Sequence, residues 1–138
     1  MVDESNSYQP DFTLVRTFTP AEALALLVKR FPLVVQLGES EEELSETGPY
    51  YAYGVFASEA AGRAADPEFV RELARFANEL AQSGDPLLRD LLITTIFEEL
   101  AVDPELAARL KNFLGLKARE LLDAVEQDWF GRDPSSSA

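Results

Sequence analysis

The residues of this protein that could take part in chemistry are mainly aspartates and glutamates. Several of the glutamates are concentrated in one short stretch. Carboxylates bind hard cations, act as general acids or bases, or dock against basic proteins. The stretch rich in glutamate contains Glu39, Glu41, Glu42, Glu43 and Glu46. The spacing D-x-[DN]-x-[DN]-G of a calcium loop does not occur, so we expect no metal site.

A cluster of tyrosines follows this acidic stretch directly and contains Tyr50, Tyr51 and Tyr53. Tyrosine is rigid and amphipathic, and it is enriched at the centres of binding surfaces. Exposed tyrosines beside an acidic rim would form an interface for a cationic protein, and we expect Glu39, Glu41, Glu42, Glu43, Tyr50, Tyr51 and Tyr53 to bind a partner. The alternatives are that the stretch is an ordinary solvated loop and that some of the rings belong to the core.

A second pair of carboxylates, Glu98 and Glu99, lies at the end of an apolar segment. Acid–base work of the glycosidase kind needs a second carboxylate about 5–10 Å away across a cleft, and the sequence places none. Glutamates at a helix end more commonly bind backbone or an arginine, and Arg89 and Arg109 are candidates for such a partner. We therefore predict no catalytic residue.

The charge composition narrows the function classes further. The 138 residues include 25 acidic and 12 basic side chains, a formal charge of −13, with no histidine and no cysteine. Imidazole bases, cysteine nucleophiles, histidine-ligated zinc and iron–sulfur clusters are therefore excluded. Phosphate-binding glycine motifs are also missing, so we expect no cofactor. The basic residues are dispersed, which argues against nucleic acid and favours a basic protein as partner.

The composition also predicts a folded, cytoplasmic protein. With 46% hydrophobic residues the chain is too apolar for disorder. The first residues, MVDESNSYQPDF, do not resemble a signal peptide, and no apolar run approaches the ~18 residues of a membrane span. We expect a flexible N-terminus at 1–10, a single domain over 11–132 and a flexible tail at 133–138. The oligomeric state stays open.

The elements that position these residues are predicted to be helices. Thr19-Pro20 with Glu22 forms a capping box, and Asp-Pro pairs at Asp66, Asp85 and Asp103 are further helix starts. Short intervals between these starts favour antiparallel helices.

The apolar pattern agrees with these helix starts. Phe69, Leu73, Phe76 and Leu80 form one helical stripe. The segment 87–100 is apolar on nearly all sides and is predicted to be the central, most buried helix. The prediction is an all-α, single-domain antiparallel bundle of about six helices. A short strand pair near the N-terminus is possible, because 11–18 and 33–37 fit strand or helix.

Two segments carry a resemblance to a known group of proteins. Residues 85–100, DPLLRDLLITTIFEEL, and residues 114–122, LGLKARELL, resemble small acidic helical bacterial immunity-type proteins of polymorphic or contact-dependent toxin systems. The pairs Phe31-Pro32 and Tyr53-Gly54 are also similar, and the likeness covers about half the chain. It implies a cytoplasmic antidote that binds and blocks a toxin domain, and it assigns no binding residue.

Together these observations predict a non-catalytic immunity protein. It would occlude a cognate toxin by placing carboxylates where the toxin takes an anionic substrate. The alternative is a helical adaptor or regulatory module that homodimerises or binds a small ligand in an apolar groove. The salt dependence of binding distinguishes the two functions. Electrostatically steered binding weakens as ionic strength rises, whereas binding in an apolar groove is insensitive to it.

Overall fold

The structure is a computed structural model that describes residues 17–37 and 48–132. The predicted flexible ends at 1–10 and 133–138, and the possible strand over 11–16, lie outside these residues. The predicted fold class is confirmed, because the described residues form helices and no strand. None of these helices has both the length and the apolar character needed to cross a bilayer.

Six α-helices and one short 3₁₀ helix make up the described part of the chain. The residues 33–37, which the sequence left open, belong to the 3₁₀ helix. Helix α4 combines three consecutive segments, Pro86–Leu91, Leu92–Phe97 and Glu98–Leu100, which are continuous in right-handed helical conformation. In chain order the elements are α1 (Pro20–Arg30), the 3₁₀ helix (Pro32–Leu37), α2 (Pro49–Gly62), α3 (Pro67–Gln82), α4, α5 (Pro104–Lys111) and α6 (Leu116–Phe130).

The predicted helix starts are confirmed in atomic detail. Thr19 and Glu22 form the reciprocal capping box, with hydrogen bonds of 3.0 and 3.1 Å between each side chain and the other residue's backbone N–H. Asp66, Asp85 and Asp103 are the N-caps of α3, α4 and α5. Each carboxylate accepts backbone N–H groups that the helix itself leaves unpaired.

The core includes a cluster of aromatic rings from the end of α1, from α2 and from α3. The ring of Phe31 lies 4.6 Å from that of Phe56 and 5.5 Å from that of Phe76, centre to centre. Helix α4 packs against α2, α3 and α6. Most of its apolar side chains are buried, as the sequence predicted: Leu88, Leu91, Leu92, Ile96, Phe97 and Leu100.

The middle of α4 is wound as a π-helix rather than an α-helix. The segment Leu92–Phe97 ends where the Glu98 N–H donates to the Ile93 carbonyl, five residues back. The hydroxyl of Thr94 donates to the Asp90 carbonyl at 2.8 Å, and the hydroxyl of Thr95 donates to that of Leu91. Both threonines thus bond back to the preceding turn of the helix.

Candidate functional site

The predicted acidic stretch lies outside the described residues. Glu39, Glu41, Glu42, Glu43 and Glu46 all belong to the segment 38–47, so their role in partner binding stays a prediction. In the sequence this segment is joined directly to Gly48, the N-cap of α2. Gly48 has a φ of 93°, a left-handed conformation that favours glycine.

Two of the predicted tyrosines are exposed in the first turn of α2. Tyr50 and Tyr51 have exposed fractions of 45% and 46%. The Tyr50 hydroxyl donates a 2.5 Å hydrogen bond to Oδ2 of Asp90 on α4. This bond to a carboxylate, with smaller effects of burial and of the Asp90 charge, raises the pKa of Tyr50 to about 12. The phenol therefore stays protonated and keeps donating at neutral pH.

The prediction that Tyr53 binds a partner at the surface was wrong, because Tyr53 is a core residue. Its side chain is 0% exposed, and its ring stacks with that of Phe76 at 6.2 Å. Its hydroxyl donates to the Ala23 carbonyl of α1 at 2.8 Å. At about 100° per residue, Tyr51 lies on the opposite side of α2 from Tyr53, whereas Tyr50 lies near the Tyr53 side and is exposed in the first turn of the helix. Tyr53 cannot contact a partner in this conformation.

Helix α4 adds a row of polar residues that sequence reasoning did not assemble. Asp90, Thr94 and Glu98 follow one another four residues apart and therefore share one side of the helix. Burial, together with the negative charge of Asp90, raises the pKa of Glu98. The negative charges of Asp90 and Glu98 thus repel each other along this side of α4. We call Tyr50, Tyr51, Asp90 and Glu98 the acidic aromatic surface.

The expected arginine partners of Glu98 and Glu99 are not observed. Over residues 17–37 and 48–132, neither glutamate forms an ion pair with Arg89 or Arg109. Arg109 instead donates to the Ala64 carbonyl at 2.7 Å. Arg109 is not available to this helix end, because its side chain lies against the loop after α2.

The chemistry available to the acidic aromatic surface is the binding of cations. Ionised carboxylates only accept hydrogen bonds, and they match the N–H donors of lysine and arginine. Within the described ranges, no three acidic side chains are grouped closely enough to hold a metal ion. What the surface offers to a ligand is carboxylate acceptors beside an exposed tyrosine ring.

Comparison with known proteins gives one family. The model of DUF7674, described as a domain of unknown function, matches residues 24–129. This range includes every helix from α2 to α5 and most of α1 and α6. Comparisons with curated proteins and with solved structures give no significant match.

Proposed function

The chain belongs to the DUF7674 family, and for this member we propose a non-catalytic function in protein binding. Specifically, it is an immunity protein that binds and occludes a cognate bacterial toxin domain. The binding face is the acidic aromatic surface with the acidic stretch Glu39–Glu46 that precedes it. A cytoplasmic location belongs to the same proposal.

The observation that carries this proposal is the hydrogen bond between Tyr50 and Asp90 on the protein surface. It fixes an exposed aromatic ring beside a carboxylate, and Glu98 supplies a second carboxylate along the same helix side. Partner surfaces commonly combine a tyrosine anchor with charged groups that steer association. The π-helical turn alongside supports the proposal, because such turns are frequent at functional sites.

The proposed mechanism is occlusion of a cationic cleft. A toxin that acts on an anionic substrate lines its cleft with lysine or arginine, and carboxylates can occupy the same positions. Asp90 and Glu98 would pair with these cations, while Tyr50 and Tyr51 exclude water around them. The chain's formal charge of −13 would accelerate the encounter with a basic protein at low salt.

A second candidate function, the helical adaptor, is favoured by exposed apolar side chains on α6. Trp129 and Phe130, adjacent residues at the end of α6, are 65% and 38% exposed. Exposed apolar groups of this size mark association surfaces when they are contiguous. An adaptor that dimerises through them would associate equally at low and high ionic strength, whereas binding through the acidic aromatic surface would weaken with salt.

The test uses a candidate toxin domain sought in the reading frames that flank the gene of this chain, with affinity measured by calorimetry. The variant Asp90→Asn/Glu98→Gln removes two charges and keeps the shapes and the acceptor for Tyr50. The matched control, Glu120→Gln/Asp128→Asn, removes two charges from exposed positions on α6. We expect Kd at low salt to rise about tenfold or more for the first variant and less than about twofold for the control.

Two results would contradict the proposal. Equal losses of affinity in both variants would show that only net charge matters. Undiminished affinity in both variants would show that the acidic aromatic surface is not part of the interface. A charge reversal at Glu39, Glu42 and Glu43 tests the acidic stretch separately. Unchanged affinity at low salt after that reversal would contradict the proposed role of the acidic stretch.

A further inference from the structure

We infer that a basic concave face between α3 and the end of α5 binds an acidic peptide segment of a partner protein. The face consists of two adjoining cavities, and Phe113 forms a wall of both. Its charge is opposite to that of the acidic aromatic surface. The inference therefore goes beyond the proposed function and does not depend on it.

The first cavity is mostly apolar and has a volume of about 310 Å³. Its polar groups are the guanidinium of Arg109 and the amide of Asn112. Arg109 uses Nη1 to donate to the Ala64 carbonyl at 2.7 Å, which holds the side chain across the cavity. The remaining lining is Ala64, Ala65, Pro67, Val70 and Phe113.

The second cavity has a volume of about 220 Å³ and is lined by Arg71, Arg75, Asn78 and Phe113. The Arg71 guanidinium lies 5.6 Å from the centre of the Phe113 ring, which is 41% exposed. Asn78 fixes the backbone around this ring. It donates to the Phe113 carbonyl at 3.3 Å and accepts the Gly115 N–H at 2.8 Å.

The charge of this face is exceptional for so acidic a chain. Three arginines and no carboxylate line the two cavities, while the whole chain carries −13. In the described part of the chain Arg71 and Arg109 form no ion pair, and Arg75 pairs only with Glu72, in an exposed contact of 2.9 Å. Exposed pairs of this kind are weak, so Arg75 is available to a ligand.

A peptide fits this arrangement better than a small molecule. Each cavity is at or below the lower limit for small-molecule sites, so one compact ligand would meet the arginines of only one cavity. An extended peptide with spaced acidic side chains reaches both. The Asn112 amide can donate to and accept from a peptide group, and the apolar lining with Phe113 accepts an apolar side chain between the acids.

The test measures binding of the peptide acetyl-Glu-Phe-Glu-Leu-Glu-amide to the full chain by fluorescence anisotropy, using a labelled copy. The site variant is Arg71→Gln/Arg109→Gln. Its matched control is Lys29→Gln/Arg89→Gln, which makes the same charge change at exposed positions outside both cavities. We expect Kd to rise about tenfold or more for the site variant and less than about twofold for the control.

Further arms identify the ligand class and the place of binding. The same peptide with glutamine for glutamate should lose at least about tenfold in affinity, and the amide resonance of Gly115 should shift on titration with the acidic peptide. An unmoved Gly115 resonance, or equal losses in both variants, would overturn the inference. Phenylacetate binding as tightly as the peptide would also overturn it, in favour of a small-molecule site. If the double variant fails to fold, Arg71→Gln alone serves as the site variant.

Discussion

At the scale of single residues, Tyr50 and Tyr53 show how the same side chain serves two purposes. The Tyr53 hydroxyl is buried and donates to the Ala23 carbonyl, whereas the Tyr50 hydroxyl is at the surface with Asp90. Tyr53→Phe should lower the free energy of unfolding by about 1 kcal/mol, because a buried acceptor loses its donor. Tyr50→Phe should lower it by less than about 0.5 kcal/mol. Urea denaturation measures both, and equal losses would contradict this division of roles.

The ionised Glu98 side chain should lower the free energy of unfolding at neutral pH. Burial and the nearby Asp90 raise its pKa, so its stabilising contribution is present below the unfolded pKa of about 4.3 and is lost as pH rises through the folded value. Glu98→Gln should therefore raise Tm at neutral pH, and the gain should vanish near pH 3 or so.

The control for this prediction is Glu99→Gln, which changes an exposed neighbour on the same helix and should shift Tm less. The Glu98→Gln protein should also bind the partner more weakly, the usual relation between stability and function. A Tm gain that persists unchanged in acid would show that electrostatics is not its cause.

At the scale of elements, the local sequence predicted most of what is observed. Helix starts at Thr19, Asp66, Asp85 and Asp103 follow from residues within one turn of each other, and the structure confirms them. The π-helical turn over Leu92–Phe97 was not predictable, because no proline or glycine marks it. The 3₁₀ helix over Pro32–Leu37 was equally open, since its apolar run fits strand or helix.

The start of α4 also joins two parts of the chain. Asp85 is fully buried, and its carboxylate accepts the N–H groups of Leu87 at 2.8 Å, Leu88 at 3.0 Å and Phe18 at 2.5 Å. Asp103 caps α5 through the N–H of Glu105 alone, at 3.0 Å, and is exposed.

Alanine substitution should separate these two caps. Asp103→Ala should cost about 1 kcal/mol, the usual value of an N-cap. Asp85→Ala should cost about 3 kcal/mol, because it also leaves buried N–H groups unpaired. Denaturant unfolding gives both values. Similar costs would show that the contact with Phe18 contributes nothing to stability.

At the scale of the whole molecule, the sequence did not predict which distant side chains meet. Tyr50 and Asp90 are 40 residues apart in sequence, so their contact exists only in the folded chain. Tyr53 was wrongly assigned to the surface because the sequence does not show which side of α2 packs against the other helices. The arginines on α3 and α5 looked dispersed for the same reason, and folding alone gathers them around Phe113.

A buried ion network closes the C-terminal part of the molecule. Glu126 on α6 is 4% exposed and accepts hydrogen bonds from Lys111 of α5 and from Arg132, the latter at 2.8 Å. Arg132 also donates to the Ala101 carbonyl after α4 at 2.6 Å. Lys111 contacts Asp123 at 2.7 Å as well. One carboxylate thus connects α5, α6 and the end of α4.

Burial opposes ionisation of Glu126, but hydrogen bonds from Lys111 and Arg132 outweigh it and lower its pKa. Its contribution to stability is present above the unfolded pKa of about 4.3 and is lost as pH falls through the folded value. Glu126→Gln should cost about 3 kcal/mol at neutral pH, because the partly buried Arg132 loses its carboxylate partner and Lys111 keeps only Asp123. The loss should shrink in acid. In urea unfolding across a pH series, the free energy of unfolding of the variant should therefore fall less steeply with decreasing pH than that of the parent protein.

The control is Asp123→Asn, which affects only the Lys111 pair. It should cost less and leave most of the acid dependence in place. A variant at Glu126 that keeps the full acid dependence would place the source of that dependence in other carboxylates.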